Sequence, residues 1–384
     1  MADLISPLKI SYVTNYDATN ILNWSGLGYF IGKSLESQNA ELDPIGGFKT
    51  SYYPDLIFKK LVHKSQGRTF PINRNLKMVS NFARKVQSRI KPDSNLVFSP
   101  GSVPISMVET RLPKVFYTDA CFAGMIDFYE GFANLSAESL QDGHFLEQKA
   151  ISESKLIFYS SEWAAQTAID NYQVYPAKIK VVPFGANLDF FPSLQESREI
   201  VNDRSDSVCK LLFIGVEWKR KGGYLALEVA TEMNRRGIKT ELHVVGLRHI
   251  PLKKIPPFLI SHGFLNKAIP AQKVKLERLL ASSHFLIVPS KAEAFGVVFA
   301  EASAWAIPSV SFHVGGIPTA VTNGLNGHLF APEAGVIEFS DYLSDLFTNK
   351  ARYNDLALSS FNEFQTRLNW DVAGKTIMKY LREL

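Results

Sequence analysis

The run His284-Phe285-Leu286-Ile287-Val288-Pro289 passes through a short loop, Ser290-Lys291-Ala292-Glu293-Ala294-Phe295-Gly296, into Val297-Val298-Phe299-Ala300-Glu301-Ala302-Ser303-Ala304. A near-continuous apolar run of this length reads as a strand buried on both faces of a parallel sheet. The segment from Gly296 reads as a helix. Strand, loop and helix in this order aim free backbone N–H groups at an anion. Glu293 lies in the loop, and Glu301 stands eight positions further on, inside the helix. Such a pair suits two parts of one ligand with a phosphate between them.

The same alternation runs through the rest of the chain. In the first half, strands are expected at 9–14, 95–99, 114–118, 155–160 and 178–182. Helices are expected at 28–37, 76–90, 144–154 and 162–171. This pattern gives a parallel sheet with helices on both faces. Residues 183–207 carry Pro, Gly, Asn and charges without a clear period, and read as an inter-domain linker. A second α/β series follows. Its strands are expected at 210–215, 241–246, 284–289 and 309–312, and its helices at 224–236, 273–282 and 296–306. The tail from Ala334 is mostly helical, with a polar break near 365–371. At 384 residues the chain is long for one domain and comfortable for two.

The two cysteines, Cys121 and Cys209, are far apart and in no metal or redox spacing. They read as reduced, buried thiols of a cytosolic protein. The N-terminal residues lack a basic region followed by a long apolar core, and no stretch is long enough to span a bilayer. Nucleic acid is not an expected partner. The charge is unevenly placed. Between Asp55 and Asp93 the chain is free of acidic residues but carries Lys59, Lys60, Lys64, Arg68, Arg74, Lys77, Arg84, Lys85, Arg89 and Lys91. On a helix over 76–90, Lys77, Arg84 and Lys91 fall opposite an apolar face of Leu76, Val79, Phe82, Ala83, Val86 and Ile90. Two readings stay open: a solvated helix face, which such patterns favour, or contact through 59–91 with an anionic membrane surface or acceptor.

Five places carry candidate chemistry. Glu293 alone also reads as a helix-start residue. Glu301, however, sits among Val297, Val298, Phe299, Ala300 and Ala302, where a merely solvated carboxylate is less expected. Gly215-Val216-Glu217-Trp218-Lys219-Arg220-Lys221-Gly222 follows a strand and opens a helix. Its cations suit a pyrophosphate leaving group, or form an exposed basic turn. His313-Val314-Gly315-Gly316 permits close backbone approach to a ligand, while Asn323-Gly324 and Asn326-Gly327 read as turns. Trp24-Ser25-Gly26-Leu27-Gly28 resembles a dinucleotide fingerprint only superficially, because the loop after the first strand is too long. It is read either as a cleft-lining loop or as a purely structural one. Asp119 closes an apolar strand, where α/β enzymes place functional groups, or else caps a helix.

The Glu293…Glu301 pair, the Lys-Gly step at Lys221 and the Gly315-Gly316 step together resemble the donor site of retaining glycosyltransferases of the GT-B type, family 4 (glycosyl transferases group 1). The resemblance is strongest over 211–330. It implies two Rossmann-like domains facing across a cleft. An acceptor domain would span 1–189, with a C-terminal helix 366–384 returning to it, and a nucleotide-sugar domain would span 190–365. It implies a hexosyltransferase acting with retention. In that scheme Glu293 holds the sugar and Glu301 the ribose. The backbone of Ala294, Phe295, Gly296 and Val297 meets the diphosphate, joined by Lys221, by Arg220 or Lys219, and by Gly215. Gly315, Gly316, Gly26 and Gly28 approach the donor, and Asp119 contacts sugar or acceptor. Two departures matter. Val216 stands where the family commonly has an arginine, and Asp119 where many members have histidine. The nucleotide-sugar is a co-substrate. No cofactor or metal is expected, since Asp-x-Asp is absent, as are zinc and P-loop motifs. A nucleotide-sugar epimerase and a non-catalytic nucleotide-sugar-binding protein are the alternatives. The acceptor is not legible.

Overall fold

The structure, a computed structural model, describes residues 6–48 and 53–384. The extreme N-terminus read above for a leader, residues 1–5, lies outside them. The chain divides into two compact units. One runs to Pro183 and includes Trp370–Leu384; the other is Phe184–Asn369.

The first unit is a six-stranded sheet of β1 (Leu8–Val13), β2 (Ala40–Ile45), β3 (Leu96–Ser99), β4 (Lys114–Thr118), β5 (Ser154–Tyr159) and β6 (Ile179–Val181). All pairs are parallel, in the order β2-β1-β3-β4-β5-β6. Every residue of β3 and β4 is buried, as central strands covered on both faces must be. Lys114 is tolerated there because its ammonium is fully engaged. It reaches Glu153 at 2.5 Å and the carbonyls of Ile105 and Val108. The main covering helices are α1 (Leu27–Glu36), α2 (Pro54–Ser65), α3 (Leu76–Gln87), α4 (Ala137–Glu153) and α5 (Glu162–Asn171). The C-terminal helix, Trp370–Leu381, returns to pack on α1. Gly374 makes the approach possible: a Cβ there would lie 2.5 Å from the carbonyl oxygen of Ser34.

The second unit repeats the design with β7 (Cys209–Ile214), β8 (Thr240–Val245), β9 (Leu259–Ser261), β10 (Phe285–Ile287), β11 (Ser309–Phe312) and β12 (Gly327–Phe330). These are again all parallel, in the order β12-β11-β10-β7-β8-β9. Its main helices are α6 (Leu194–Asp203), α7 (Gly223–Arg235), α8 (Pro270–Ser282), α9 (Val297–Ser303), α10 (Val336–Thr348) and α11 (Lys350–Thr366).

Several local expectations need correction. The stretch read as a linker contains α6, started by a capping box in which Ser193 and Glu196 satisfy each other's backbone N–H. Just after it, the Arg204 guanidinium is buried and donates to the carbonyls of Trp305 and Ala306 and to the hydroxyl oxygen of Tyr353. Charge along a segment is thus no sign that it lies in solvent. Strand β2 went unread because it contains Pro44, which an edge strand accommodates. Helix α3 stops at Gln87, so Lys91 does not share a helix face with Lys77 and Arg84. The basic segment is also less exposed as charge than its sequence suggests. Lys59 pairs with Glu138 at 2.7 Å, Lys77 with Asp55 at 2.6 Å and Lys91 with Asp43 at 2.9 Å. No helix among the described residues is long and apolar enough to cross a membrane. Both thiols are free and buried, and burial pushes that of Cys121 up to about 12.

Candidate active site

Open parallel sheets bind ligands outside the carboxyl ends of their strands, where the chain reverses its direction of travel across the sheet. In the second unit, β8 and β9 are laid down on one side of β7, and β10, β11 and β12 on the other. The reversal falls between β7 and β10. The loops leaving those strands are Gly215–Gly222 and Val288–Gly296, which carry most of the candidate residues.

These loops are drawn together by backbone contacts that only glycine allows. Gly222 has φ +79°, and a Cβ on it would lie 2.1 Å from the carbonyl oxygen of Pro289. The amide of Lys291 donates to the carbonyl of Arg220 at 2.9 Å. The side chains then converge. The Lys221 ammonium donates to Glu293 Oε2. Arg220 Nη1 stands 3.6 Å from the same oxygen and donates to the carbonyl of Ala292 at 2.7 Å. Arg220 is itself oriented by a two-pronged bond to Glu217, both arms 2.9 Å, which holds the Glu217 carboxyl below its usual range. Gly315 and Gly316 join from the loop after β11, the amide of Gly316 donating to the Glu293 carbonyl at 3.0 Å. Between the two candidate cations, then, it is Arg220 that accompanies Lys221 at the carboxylate. Lys219 is exposed, its carbonyl accepting from Gly222. Gly215 borders the group: a Cβ there would lie 3.0 Å from the Lys221 side chain.

Ala294, Phe295 and Gly296 are buried in the turn that starts α9, and Val297 is its first helical residue. Gly296 has φ +82°, and Phe299 packs where a Cβ would be. Glu301 is buried one turn further along, 5% exposed. Its partner is a residue that no motif singles out. Lys267, in the loop between β9 and α8, donates to Glu301 Oε1 at 2.5 Å and to the carbonyl of Asn187 at 3.0 Å. Ser290 Oγ, fully buried in the loop after β10, has no hydrogen-bond partner.

Gly26, Gly28 and Asp119 belong to the first unit. Gly26, φ +87°, caps α1 after Trp24 and Ser25, which also have positive φ. Gly28 is required by Tyr16: a Cβ would lie 2.4 Å from its hydroxyl. That hydroxyl is buried without a hydrogen-bond partner. Burial raises its pKa, and the nearby charge of Asp119 raises it further. Tyr16 thus connects the β1 loop to Asp119 at the end of β4, a link only the fold reveals. Among the described residues no group of His, Cys, Asp and Glu could hold a metal ion.

This arrangement of loops on a doubly wound unit has relatives. Residues 209–349 match the family described as glycosyl transferases group 1. Over those residues the second unit resembles that family, and the chain has the GT-B fold. A D-inositol 3-phosphate glycosyltransferase of Kribbella flavida is 27% identical over 251 residues, covering 62% of this chain and 58% of the relative. The chain therefore spans somewhat over half the length of that relative. Among solved GT-B structures, Anabaena Alr3699/HepE in complex with UDP and glucose superposes with a TM-score of 0.65 at 14% identity, covering 98% of this chain and 100% of the other. Sucrose-phosphate synthase from Thermosynechococcus elongatus gives 0.68 at 14% identity, covering 99% of each chain. At such identities the structures speak for the fold. The group 1 match covers Lys221, Glu293, Glu301 and Gly315-Gly316, so the resemblance and the side-chain cluster fall on the same segment.

Proposed function

We propose that the protein is a metal-independent, retaining glycosyltransferase that moves a hexosyl group from a nucleotide-diphosphate-sugar to an acceptor hydroxyl. The observation that carries this reading is the meeting of Lys221, Arg220 and Glu293 at the strand-order reversal of the group 1 unit. The two cations offer charge to a diphosphate, which gains negative charge as the sugar leaves. Glu293 offers a carboxylate to sugar hydroxyls, and Glu301 one to the ribose. For the donor to bind, Lys221 exchanges Glu293 for a phosphate oxygen, and Lys267 gives up part of its hold on Glu301. The bond from the sugar anomeric carbon to the diphosphate oxygen breaks, and a bond to the acceptor oxygen forms on the same face. The acceptor proton passes to the departing phosphate.

The UDP and glucose of the HepE structure support starting the search with uridine donors. Thermal shift with UDP-, GDP- and ADP-sugars tests the donor site. A ligand at about 100 times its Kd adds roughly 2.7 kcal/mol, and no shift with any of them overturns the assignment. Anomer-resolved NMR of the product tests retention, and unchanged turnover in EDTA tests metal independence. Conversion of donor to its epimer without acceptor would favour the epimerase reading. Binding without any turnover would favour a non-catalytic protein.

We also propose a cytoplasmic, membrane-peripheral location. Helix α2 supports it: Ile57, Phe58 and Leu61 are exposed, and exposed Lys60 and Lys64 lie beside them. Apolar side chains flanked by lysines suit an anionic bilayer surface. Sedimentation with phosphatidylglycerol vesicles should carry the protein down, and Phe58→Ser with Leu61→Ser should release it. Equal recovery with neutral phosphatidylcholine vesicles would overturn the proposal.

A further inference from the structure

The chain passes between its two units twice, after Pro183 and after Asn369. Residues 184–188 lead into the second unit, and residues 367–369 lead out of it. The two segments lie side by side, the amide of Ala186 donating to the carbonyl of Leu368 at 3.0 Å. Phe184, Ala186, Asn187 and Leu368 are all buried, whereas connecting segments ordinarily run over the surface. Both segments are also fastened to loops of the candidate site. The Phe184 ring stands edge to face with Phe295, in the turn that starts α9, with centres 5.3 Å apart. The Arg367 guanidinium donates to the carbonyl of Thr319, in the short helix after Gly315-Gly316, and to Glu363 at 2.8 Å.

A third fastening is polar and can change with occupancy. The Lys267 ammonium is shared between Glu301 Oε1 at 2.5 Å and the Asn187 carbonyl at 3.0 Å. One side chain thus spans the incoming segment and the carboxylate offered to the ribose. The two acceptors compete on unequal terms: Glu301 attracts the ammonium with a full charge, the carbonyl only with its dipole. Ribose hydroxyls donating to Glu301 spread that charge over additional bonds and weaken its hold on Lys267. The ammonium then leans further on the Asn187 carbonyl. A ligand shifts such a balance only through contacts that differ between the two arrangements, and here the difference is made at Glu301.

We propose that Lys267 is a positioning residue that couples the ribose site to the segment entering the second unit, so that a nucleotide whose ribose occupies Glu301 tightens residues 184–188. This rests on the nucleotide-sugar reading and adds to it a link that runs away from the reacting atoms. Coupling of this kind is reciprocal: whatever fixes residues 184–188 also strengthens nucleotide binding.

The test is hydrogen exchange of the full chain, read by mass spectrometry over 184–188, with UDP and with 2′,3′-dideoxy-UDP, each at saturation. UDP should slow exchange there by about five-fold or more, the lower end of ordinary coupling between sites. The dideoxy analogue lacks both ribose hydroxyls and should leave the segment as it is without ligand. Lys267→Met should exchange faster than the wild type without ligand, and should lose the response to UDP. A lysine that merely supports the fold would speed exchange in the same variant but leave the UDP response in place. The comparison of UDP with its dideoxy analogue uses the wild type alone, and carries the test if Lys267→Met does not fold. Unchanged or faster exchange with UDP would overturn the proposal, as would an equal response to both nucleotides or a response that survives Lys267→Met. Isothermal titration on the same samples keeps the two readings apart. No binding of UDP removes the donor site and this link with it, whereas binding without a change at 184–188 removes the link alone.

Discussion

A single carboxylate oxygen organises the cluster at the strand-order reversal of the second unit. Glu293 Oε2 receives the Lys221 ammonium and faces Arg220, and all three groups are largely withdrawn from water. Electrostatic interactions in such a site are stronger than at a surface. Glu293→Gln should therefore lower kcat by about 10²–10³, the scale seen when one preorganised polar group is lost, while UDP affinity changes only slightly. Lys221→Met should weaken UDP itself, and isothermal titration separates the two effects. Glu301 makes a different prediction, because its partner is a lysine from another loop. Lys267→Met leaves a buried carboxylate uncompensated and should cost about 1–3 kcal/mol in urea denaturation. Lys267→Met combined with Glu301→Leu should regain most of that loss, since removing both partners of a buried pair costs less than removing one. If the double variant is no more stable than Lys267→Met alone, the pair is not what holds these loops.

At the scale of elements, local pattern and long-range need pulled in different directions. Strands β4 and β11 and helix α5 lie at the residues their composition marks, because each combines a clear period with a clear stop. Helix α6 was hidden by charges and a short apolar stripe, although its capping box, Ser193 with Glu196, was present to be read. Strand β9 is only three residues long, and β12 opens on Gly327, in the Asn326-Gly327 step that reads as a turn. At the site, Glu293 and Lys221 could be picked out because each lies in a loop that leaves a strand, and Glu301 because it is a carboxylate in an apolar helix of the same family pattern. Lys267 could not, since its partners lie far away in sequence, and Tyr16 and Ser290 could not, since only folding buries their hydroxyls without a hydrogen-bond partner. Glycines divide in the same way. Gly222 is legible as a loop residue, but only the structure shows that Pro289 closes over it. Gly222→Ala should therefore destabilise by about 2 kcal/mol or more, combining an unfavourable φ with a backbone clash. Gly237→Ala is the control: it has φ +85° but open space around it, so it should cost about 1 kcal/mol. Similar losses for the two would mean that the loop contact at Pro289 contributes nothing.

Taken as a whole, the chain builds two doubly wound units by the same rule, each with one reversal of strand order. Stability of the second unit carries a pH signature set by a histidine away from the candidate site. His284 is buried at the start of β10, accepting at Nδ1 from the Lys210 amide at 3.0 Å and donating from Nε2 to the Ser205 carbonyl at 2.9 Å. Burial, reinforced by the Arg204 charge, lowers its pKa to about 4. The unfolded chain protonates the same ring near its ordinary value of about 6.5. Between these values the unfolded state binds more protons, so stability falls as the pH drops. The contribution is complete above about pH 6.5 and is lost progressively down to about 4, at roughly 3 kcal/mol in full. Lys210 adds to the effect by its positive charge, and Asp206 opposes it. Urea unfolding of the second unit, followed from pH 7.5 to 4, should show this decline. His284→Gln should be less stable at pH 7.5, having lost one of the two hydrogen bonds, yet should decline less steeply. Parallel pH profiles for the two proteins would show that His284 is already protonated when folded, and that its two hydrogen bonds do not hold it neutral.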